Sequence, residues 1–268
     1  MAYTVLAKTF SAYRGNVGTV GKQVMDWIVE QSAGLFSYDS KTGAVSATEF
    51  NAYLKYKNYP MGINVNWSSH SYFYHYVIKN GSYGLQASDS SYRGLFYFTE
   101  ETNSKSSSIT VKILRVGDFI CVSVYTAGSP ASGWFCRFGE FKNIYTGNVH
   151  GALRFGNRGT YTGGAEAYVG EPGYVYMPDK DEFYGLSLAK VCSYFSGKIA
   201  DLDSHPNVCF VEDPYYYSNF GVFQSSGLLE KVYVLNSGVK IDTSSDIPVQ
   251  IGTGSYLCSL DGGLIKVG

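Results

Sequence analysis

Charge is scarce in this chain. Asp, Glu, Lys and Arg make up 16% of its 268 residues and nearly cancel, leaving a formal net charge of −1. Basic residues are interspersed with acidic ones, so the clustered basic footprint that displaces counterions from nucleic acid is missing, and no nucleic-acid partner is expected. The longest strongly apolar run is about seven residues, whereas a membrane-spanning helix needs about twenty. Membrane insertion is therefore not expected. The opening MAYTVLAKTF has no charged region leading into an apolar core, and no secretory signal is read there. Cys121, Cys136, Cys192, Cys209 and Cys258 include no C-x-x-C pair. An odd count without a secretory signal reads as mostly buried thiols, with a disulfide or a zinc site as the alternative.

Catalytic spacing is missing as well. His70, His75, His150 and His205 form no H-E-x-x-H or other metal-ligand pattern. His75 falls mid-strand and reads as a core or interface imidazole, although a fold-assembled three-histidine site stays open. Carboxylates gather at Glu100-Glu101, at Asp179, Asp181 and Glu182, at Asp201 and Asp203, and at Glu212-Asp213. Glycoside hydrolysis needs two acids facing across a sugar, and an EF-hand needs its turn glycine and distal glutamate. None of these clusters has either signature, so they read as solvated loop charge. GTVGK at 18–22 lacks both the leading spacing and the Ser/Thr that a phosphate loop needs, and no G-x-S-x-G is present. No enzyme and no cofactor are expected.

What the chain has in quantity is 25 Tyr, 16 Phe and 31 Gly. Tyrosine suits strands and contact surfaces, because its ring buries area while its hydroxyl reaches a polar partner. Glycine supplies tight turns. The two together predict a mainly β (α+β) fold, with antiparallel meanders or β-sandwich-like sheets and one amphipathic helix packed on a sheet.

That helix is read in RGNVGTVGKQVMDWIVEQS, where Val17, Val20, Val24, Trp27 and Ile28 share one stripe. Asn16 or Thr19 is the expected cap and Gly34 the expected stop; Gly18 and Gly21 weaken the first turns, which places the reliable start near Gly21. Next, Asn80-Gly81 is the dipeptide favoured by a two-residue type I′ hairpin. It sets Ile78 against Tyr83, Tyr76 against Leu85 and Tyr74 against Ala87, with Phe73, His75 and Val77 on the other face opposite Ser88, Gln86 and Gly84. A strand in GLFYFTEET and alternating Ile109, Val111 and Ile113 before FICVSVYT extend this into a meander over 71–126, one face of it under the helix.

AGSPASG at 127–133 turns small and flexible, and a boundary there divides the chain into 1–130, a helix-plus-sheet domain, and 131–268, a Gly/Tyr-rich β domain. The stretch GNRGTYTGGAEAYVGEPGYVYMPDKDEF is either a long surface excursion or several very short strands. WFCRFGEF and CSYFSGKI echo one another, at a level that chance also produces. In DPYYYSNFGVF three consecutive tyrosines cannot all face one core. Tyr215, Tyr216 and Tyr217, with Trp134, are therefore candidates for a protein interface or a sugar-stacking surface, core packing being the alternative. The end reads as a strand in EKVYVLNSG, a hairpin turning through Gly252 to Ser255, and a last strand over Leu264 to Val267 held by ladder hydrogen bonds.

Three segments, YTVLAKTFSAYRGNVGTVGKQVMDWIVE, WFCRFGEFKNIYTGNVHGALRFG and KVYVLNSGVKIDTSSDIPVQIGTGSYLCSL, together resemble a group of tailed-phage virion proteins. There an N-terminal helix precedes aromatic strands, and a VY-V-N strand precedes a segment similar to Ile251 to Tyr256. The resemblance is one of pattern. It implies a non-enzymatic virion subunit of the tail or neck, assembled in the host cytoplasm, whose partners are other virion proteins and copies of itself in a ring or trimer. The alternative is a phage receptor-binding or carbohydrate-binding protein that meets a host glycan.

Overall fold

The computed structural model describes residues 3–86, 96–98, 107–126, 129–143, 149–160, 172–178, 181–187, 208–212, 216–218, 221–225, 231–235, 247–251, 254–258 and 263–267. The chain is mainly β, with one helix among the described residues, and its strands form three sheets. It divides into two compact units, one of Leu6–Ile113 with Val122–Trp134, the other of Met1–Val5, Leu114–Cys121 and Phe135–Gly268. Ser129–Asn143 is a single strand, so the boundary that composition places at residue 131 lies inside a strand.

Helix α1 spans Val17–Gln31, four residues earlier than its glycines suggest. The cause is tertiary. A Cβ on Gly18 would lie 2.4 Å from the backbone of Ser46 and Glu49, and one on Gly21 would lie 2.4 Å from the Trp67 ring. Helix propensity is given up at these positions so that the first turns can approach their neighbours closely. No side chain caps the N-terminus: Asn16 Oδ1 accepts from Tyr13 N, while the Ala47 carbonyl takes Gly18 N at 2.9 Å. The helix stops where Ala33 (φ 51°) and Gly34 (φ 85°) enter the left-handed region. Ser32 Oγ donates to Val29 O and accepts from Phe36 N, joining the helix end to the strand that follows it.

Strands β2 (Phe36–Tyr38), β3 (Phe50–Tyr56), β4 (Met61–Trp67), β5 (His70–Lys79) and β6 (Ser82–Gln86) form a meander, with β7 (Phe96–Tyr97) on β5. Helix α1 packs on β2, β3 and β4. Phe36, Phe50, Ala52, Leu54, Tyr56, Met61, Ile63, Val65 and Trp67 are buried on the helix side, each large side chain contributing about 1.5–3 kcal/mol as an upper bound. Both Asn80 (φ 50°) and Gly81 (φ 73°) are left-handed, as a type I′ turn requires. The expected register holds wherever it is described: Ile78 pairs with Tyr83, Val77 with Gly84, Tyr76 with Leu85 and His75 with Gln86. The predicted pairs at Ala87 and Ser88 lie outside the described residues. A Cβ on Gly81 would meet nothing within 4 Å, so Gly81→Ala tests backbone conformation alone. It is expected to cost about 1–2 kcal/mol, read as a lower urea midpoint at unchanged slope.

The meander expected over 71–126 does not continue in one sheet. β8 (Ser107–Val116) and β9 (Phe119–Thr126) belong to a nine-stranded sheet with β1 (Tyr3–Ala12), β10 (Ser129–Asn143), β11 (Val149–Thr160), β12 (Pro172–Met177) and β13 (Glu182–Ser187). Its order is β1-β8-β9-β10-β11-β12-β13, and β15 (Tyr216–Ser218) joins through β16 (Gly221–Ser225) to β10. Both faces of β8 are buried, Thr110 and Lys112 as well as Ile109, Val111 and Ile113. The alternation in sequence is polar, but the polar side is covered too; Thr110 meets Thr9 Oγ1 to Oγ1 at 3.0 Å. The glycine-rich middle resolves, where described, into short strands, β12 pairing antiparallel with β13.

The third sheet has five strands, β14 (Val208–Glu212), β17 (Lys231–Leu235), β18 (Val249–Ile251), β19 (Gly254–Cys258) and β20 (Gly263–Lys266), in the order β14-β17-β20-β19-β18. The hairpin is tighter than expected, because Ile251 already pairs with Gly254. β20 is the central strand, laddered on both sides, and Val267 N donates to Ser255 O at 2.8 Å.

Candidate functional site: a tyrosine–asparagine sheet face

The helix covers one face of β2–β4. The opposite face follows from register, since residues directly opposite in an antiparallel ladder share a side. Asn51, Asn66 and Tyr72 make one cross-strand row, Tyr53, Asn64 and Tyr74 the next, and Lys55, Gly62 and Tyr76 the third. Period-two alternation in FNAYLKY and MGINVNW produces this arrangement: the apolar residues and Tyr56 go to the helix, and the amides, Tyr53 and Lys55 to the other side.

The face has a closed half and an open half. In the closed half, Tyr53, Tyr76 and Tyr83 meet in a triangle with ring centroids 5.3, 5.4 and 5.5 Å apart. Tyr76 is fully buried over Gly62, and its Oη has no hydrogen-bond partner among the described residues. Lys41 Nζ stands 4.1 Å from the Tyr83 centroid and 5.3 Å from that of Tyr53, a cation–π lid of the chain's own making. Asp39 accepts from Tyr83 Oη and from Lys41 N.

In the open half, Tyr72 and Tyr74 are half-exposed, Asn51 and Asn66 exposed. The two rings lie nearly parallel, 9° apart with centroids at 6.1 Å, and His70 continues the row 5.9 Å from Tyr72. Asn64 is buried and donates from Nδ2 to Asn51 Oδ1 at 2.8 Å and to Ala52 O at 3.0 Å. This bond fixes the Asn51 amide and leaves its NH2 group for a ligand. The open half can stack against a flat apolar surface and exchange hydrogen bonds with hydroxyls or amides. Among the described residues, the rows Asn51–Asn66–Tyr72 and Tyr53–Asn64–Tyr74 hold no carboxylate.

Burial first, then the Asp39 hydrogen bond, pushes the Tyr83 phenol up to about 12; burial likewise pushes Tyr176, bonded to Asp181, up to about 12. Burial raises Tyr76 and Tyr38 further, Asp39 and Asp26 adding to it. In the unfolded chain these phenols ionise near their ordinary value of 10.0, so above that pH the unfolded state sheds protons that the folded state retains. The stabilisation is complete below pH 10 and is lost as pH climbs toward 12. Urea midpoints are accordingly expected to fall steeply over that interval, and Tyr83→Phe to flatten the fall.

A second concavity is an open groove of about 300 Å³ between α1 and the 45–47 segment, lined by Thr19, Lys22, Gln23, Asp26, Val45, Ser46 and Ala47. Its charges satisfy one another: Lys22 pairs with Asp26 at 2.7 Å, and Tyr38 Oη donates to Asp26 Oδ1 at 2.8 Å.

The residues singled out in the sequence fall elsewhere. Trp134 is 4% exposed, its ring 5.1 Å from that of Phe73. A ring enclosed in this way offers no face to a sugar or a partner, so Trp134 is a core residue and leaves the candidate set. Tyr215 lies outside the described residues. Tyr216 and Tyr217 are successive residues of β15, paired with Phe223 and Val222. Cys121 and Cys136 are buried. Among the described residues no three His, Cys, Asp or Glu side chains are grouped to hold a metal, and no helix is long and apolar enough to cross a membrane. Sequence reasoning missed Asn51, Asn64 and Asn66; the available signal was the N-x-N alternation of MGINVNW. No protein family, curated protein or solved structure matches this chain.

Proposed function

We propose that this chain is a non-enzymatic structural subunit of a tailed-phage virion, in the tail or neck, that works by contact with other virion proteins and copies of itself. The supporting observation is the construction of the tyrosine–asparagine face. Tyr72 and Tyr74 lie nearly parallel on it, a hydrogen bond from Asn64 orients the Asn51 amide, and no acid pair stands in its rows among the described residues. Such a surface holds a partner and does not cleave one. Tyrosine is the residue that contact surfaces enrich, since it supplies area and a hydrogen bond at little cost in side-chain entropy. The test is native mass spectrometry of the purified chain beside co-sedimentation with particles. A symmetric oligomer that sediments with particles is expected, and a monodisperse monomer that never does so would contradict the reading.

The second reading is a receptor-binding or carbohydrate-binding component of the same kind of particle. What favours it is the make-up of the open half, where half-exposed Tyr72 and Tyr74 stand beside exposed Asn51 and Asn66.

A further inference from the structure

We infer that Asn80 is a modification site: its side-chain amide is lost spontaneously through a cyclic imide with Gly81, and the isoaspartate that results unlatches β6 from the sheet. The inference goes beyond the contact reading above and does not depend on it.

The sequence supplies the chemistry. Asn80-Gly81 is the only Asn-Gly pair in the chain. In such a pair the Gly81 backbone nitrogen attacks Asn80 Cγ. A C–N bond forms, the bond from Cγ to the side-chain nitrogen breaks, and ammonia leaves behind a five-membered imide. Solvent water then adds to one of the imide carbonyls. Opening on one side gives aspartate; opening on the other gives isoaspartate, in which the main chain runs through Cβ and Cγ. Water is consumed and ammonia released, with no oxidant or reductant needed. Glycine favours the attack because it has no Cβ beside the attacking nitrogen. Asn16, Asn64 and Asn66 precede Val17, Val65 and Trp67, whose side chains crowd that nitrogen. Asn64 is also buried, its amide bonded to Asn51 and Ala52.

The structure supplies access and a gate. Asn80 and Gly81 are both exposed, and a Cβ on Gly81 would meet nothing within 4 Å, so no packed neighbour shields the pair. Both residues are left-handed, and in a type I′ turn ψ of the first is about +30°. That angle points Gly81 N away from Asn80 Cβ. Attack therefore needs ψ of Asn80 to rotate out of the turn, which happens when the hairpin tip opens. Opening is local, since Lys79 and Ser82 are exposed and β6 pairs only with β5 among the described residues. β5 is held from its other side, by the β4 ladder and by Ile78 N donating to Pro60 O at 2.7 Å. β6 is the strand that moves.

The two products differ in effect. Aspartate tolerates the left-handed region and keeps the turn. Isoaspartate adds a backbone atom to a two-residue loop whose length sets the register. The loop then no longer closes Lys79 against Ser82, and the pairs Ile78–Tyr83 and Val77–Gly84 loosen with it. Tyr83 leaves its ring contacts with Tyr53 and Tyr76, its bond to Asp39 and the Lys41 ammonium over its face. Because the added atom is covalent, the hairpin cannot close again.

The test ages the full chain at physiological temperature in neutral and mildly alkaline buffer. Peptide mass spectrometry with electron-transfer fragmentation separates isoaspartate from aspartate, and hydrogen exchange follows the Ser82–Gln86 amides. Asn80 is expected to convert ahead of every other asparagine, faster in the alkaline buffer, and about tenfold or more faster in urea, where no turn restrains ψ. In the isoaspartyl fraction the Ser82–Gln86 amides are expected to exchange at least about tenfold faster than in fresh protein. Asn80→Gly keeps a left-handed pair at the turn. It is expected to abolish the isoaspartate there and to hold those amides at the fresh rate throughout ageing. Asn80 left intact in native buffer while urea converts it, or another asparagine converting first, would overturn the inference. So would isoaspartate at residue 80 with Ser82–Gln86 still protected, or equal loss of that protection in aged Asn80→Gly.

Discussion

Gly62→Ala is expected to destabilise the protein by about 3 kcal/mol or more, at the upper end of what overpacking a filled core costs. A Cβ at this position would stand 1.8 Å from Leu54 O and 2.9 Å from Tyr76 Cε1. The first of these atoms is backbone on the neighbouring strand β3 and cannot rotate away. Relief comes only by parting β3 from β4 beneath the tyrosine triangle, which loosens Tyr53 and Tyr76 together. The matched control is Gly84→Ala in β6 of the same sheet, where a Cβ would find Val77 Cγ2 at 3.7 Å, an ordinary contact. That variant is expected to stay within about 0.5–1 kcal/mol of the parent. Urea unfolding of the two variants side by side reads the difference, and equal midpoints would show that β4 approaches β3 less closely than described.

Trp67→Ala is expected to cost about 3–5 kcal/mol, the range for removing a fully buried aromatic ring. Trp67 is 0% exposed and central to the unit: Gly21 of α1 lies against its ring, Phe73 is 5.5 Å away and Phe98 6.1 Å away, centroid to centroid. Its removal strips the helix of its main contact on β4 and leaves a cavity too well braced to collapse. Trp67→Phe separates packing from polarity. The indole Nε1 is buried with no hydrogen-bond partner among the described residues, and a buried unsatisfied donor costs about 1–3 kcal/mol. Phenylalanine loses area but also removes that donor, so its net cost is expected to be under half that of alanine. Denaturant midpoints by circular dichroism give both values; Trp67→Phe as damaging as Trp67→Ala would mean that Nε1 is satisfied in solution.

Local chemistry made part of this fold legible in the sequence. Asn80-Gly81 fixed a turn and a register because the type I′ geometry needs two left-handed residues and nothing distant. The helix was legible as a stripe, but its first turn was not. Gly18 and Gly21 lower helix propensity, and the compensation comes from Ser46, Glu49 and Trp67, distant in sequence. The same limit hid the break between β5–β7 and β8–β9, since alternation in Ile109 to Ile113 specifies a strand and not the sheet it joins. Trp134 illustrates the difficulty for sites: its aromatic neighbourhood reads equally as platform or core until Phe73 is placed against it. The tyrosine–asparagine face was recoverable only by overlaying three strands in register, because its rows draw on Asn51, Asn66 and Tyr72 from separate segments.

The measurement that bears most directly on the proposal of a virion contact subunit is the copy number of this chain in purified tailed-phage particles from its source, by quantitative mass spectrometry against isotope-labelled peptides. The account predicts a fixed, symmetric stoichiometry: about six or twelve copies for a ring, or a multiple of three for a trimeric appendage. A chain absent from particles, or present at a variable trace, would contradict it.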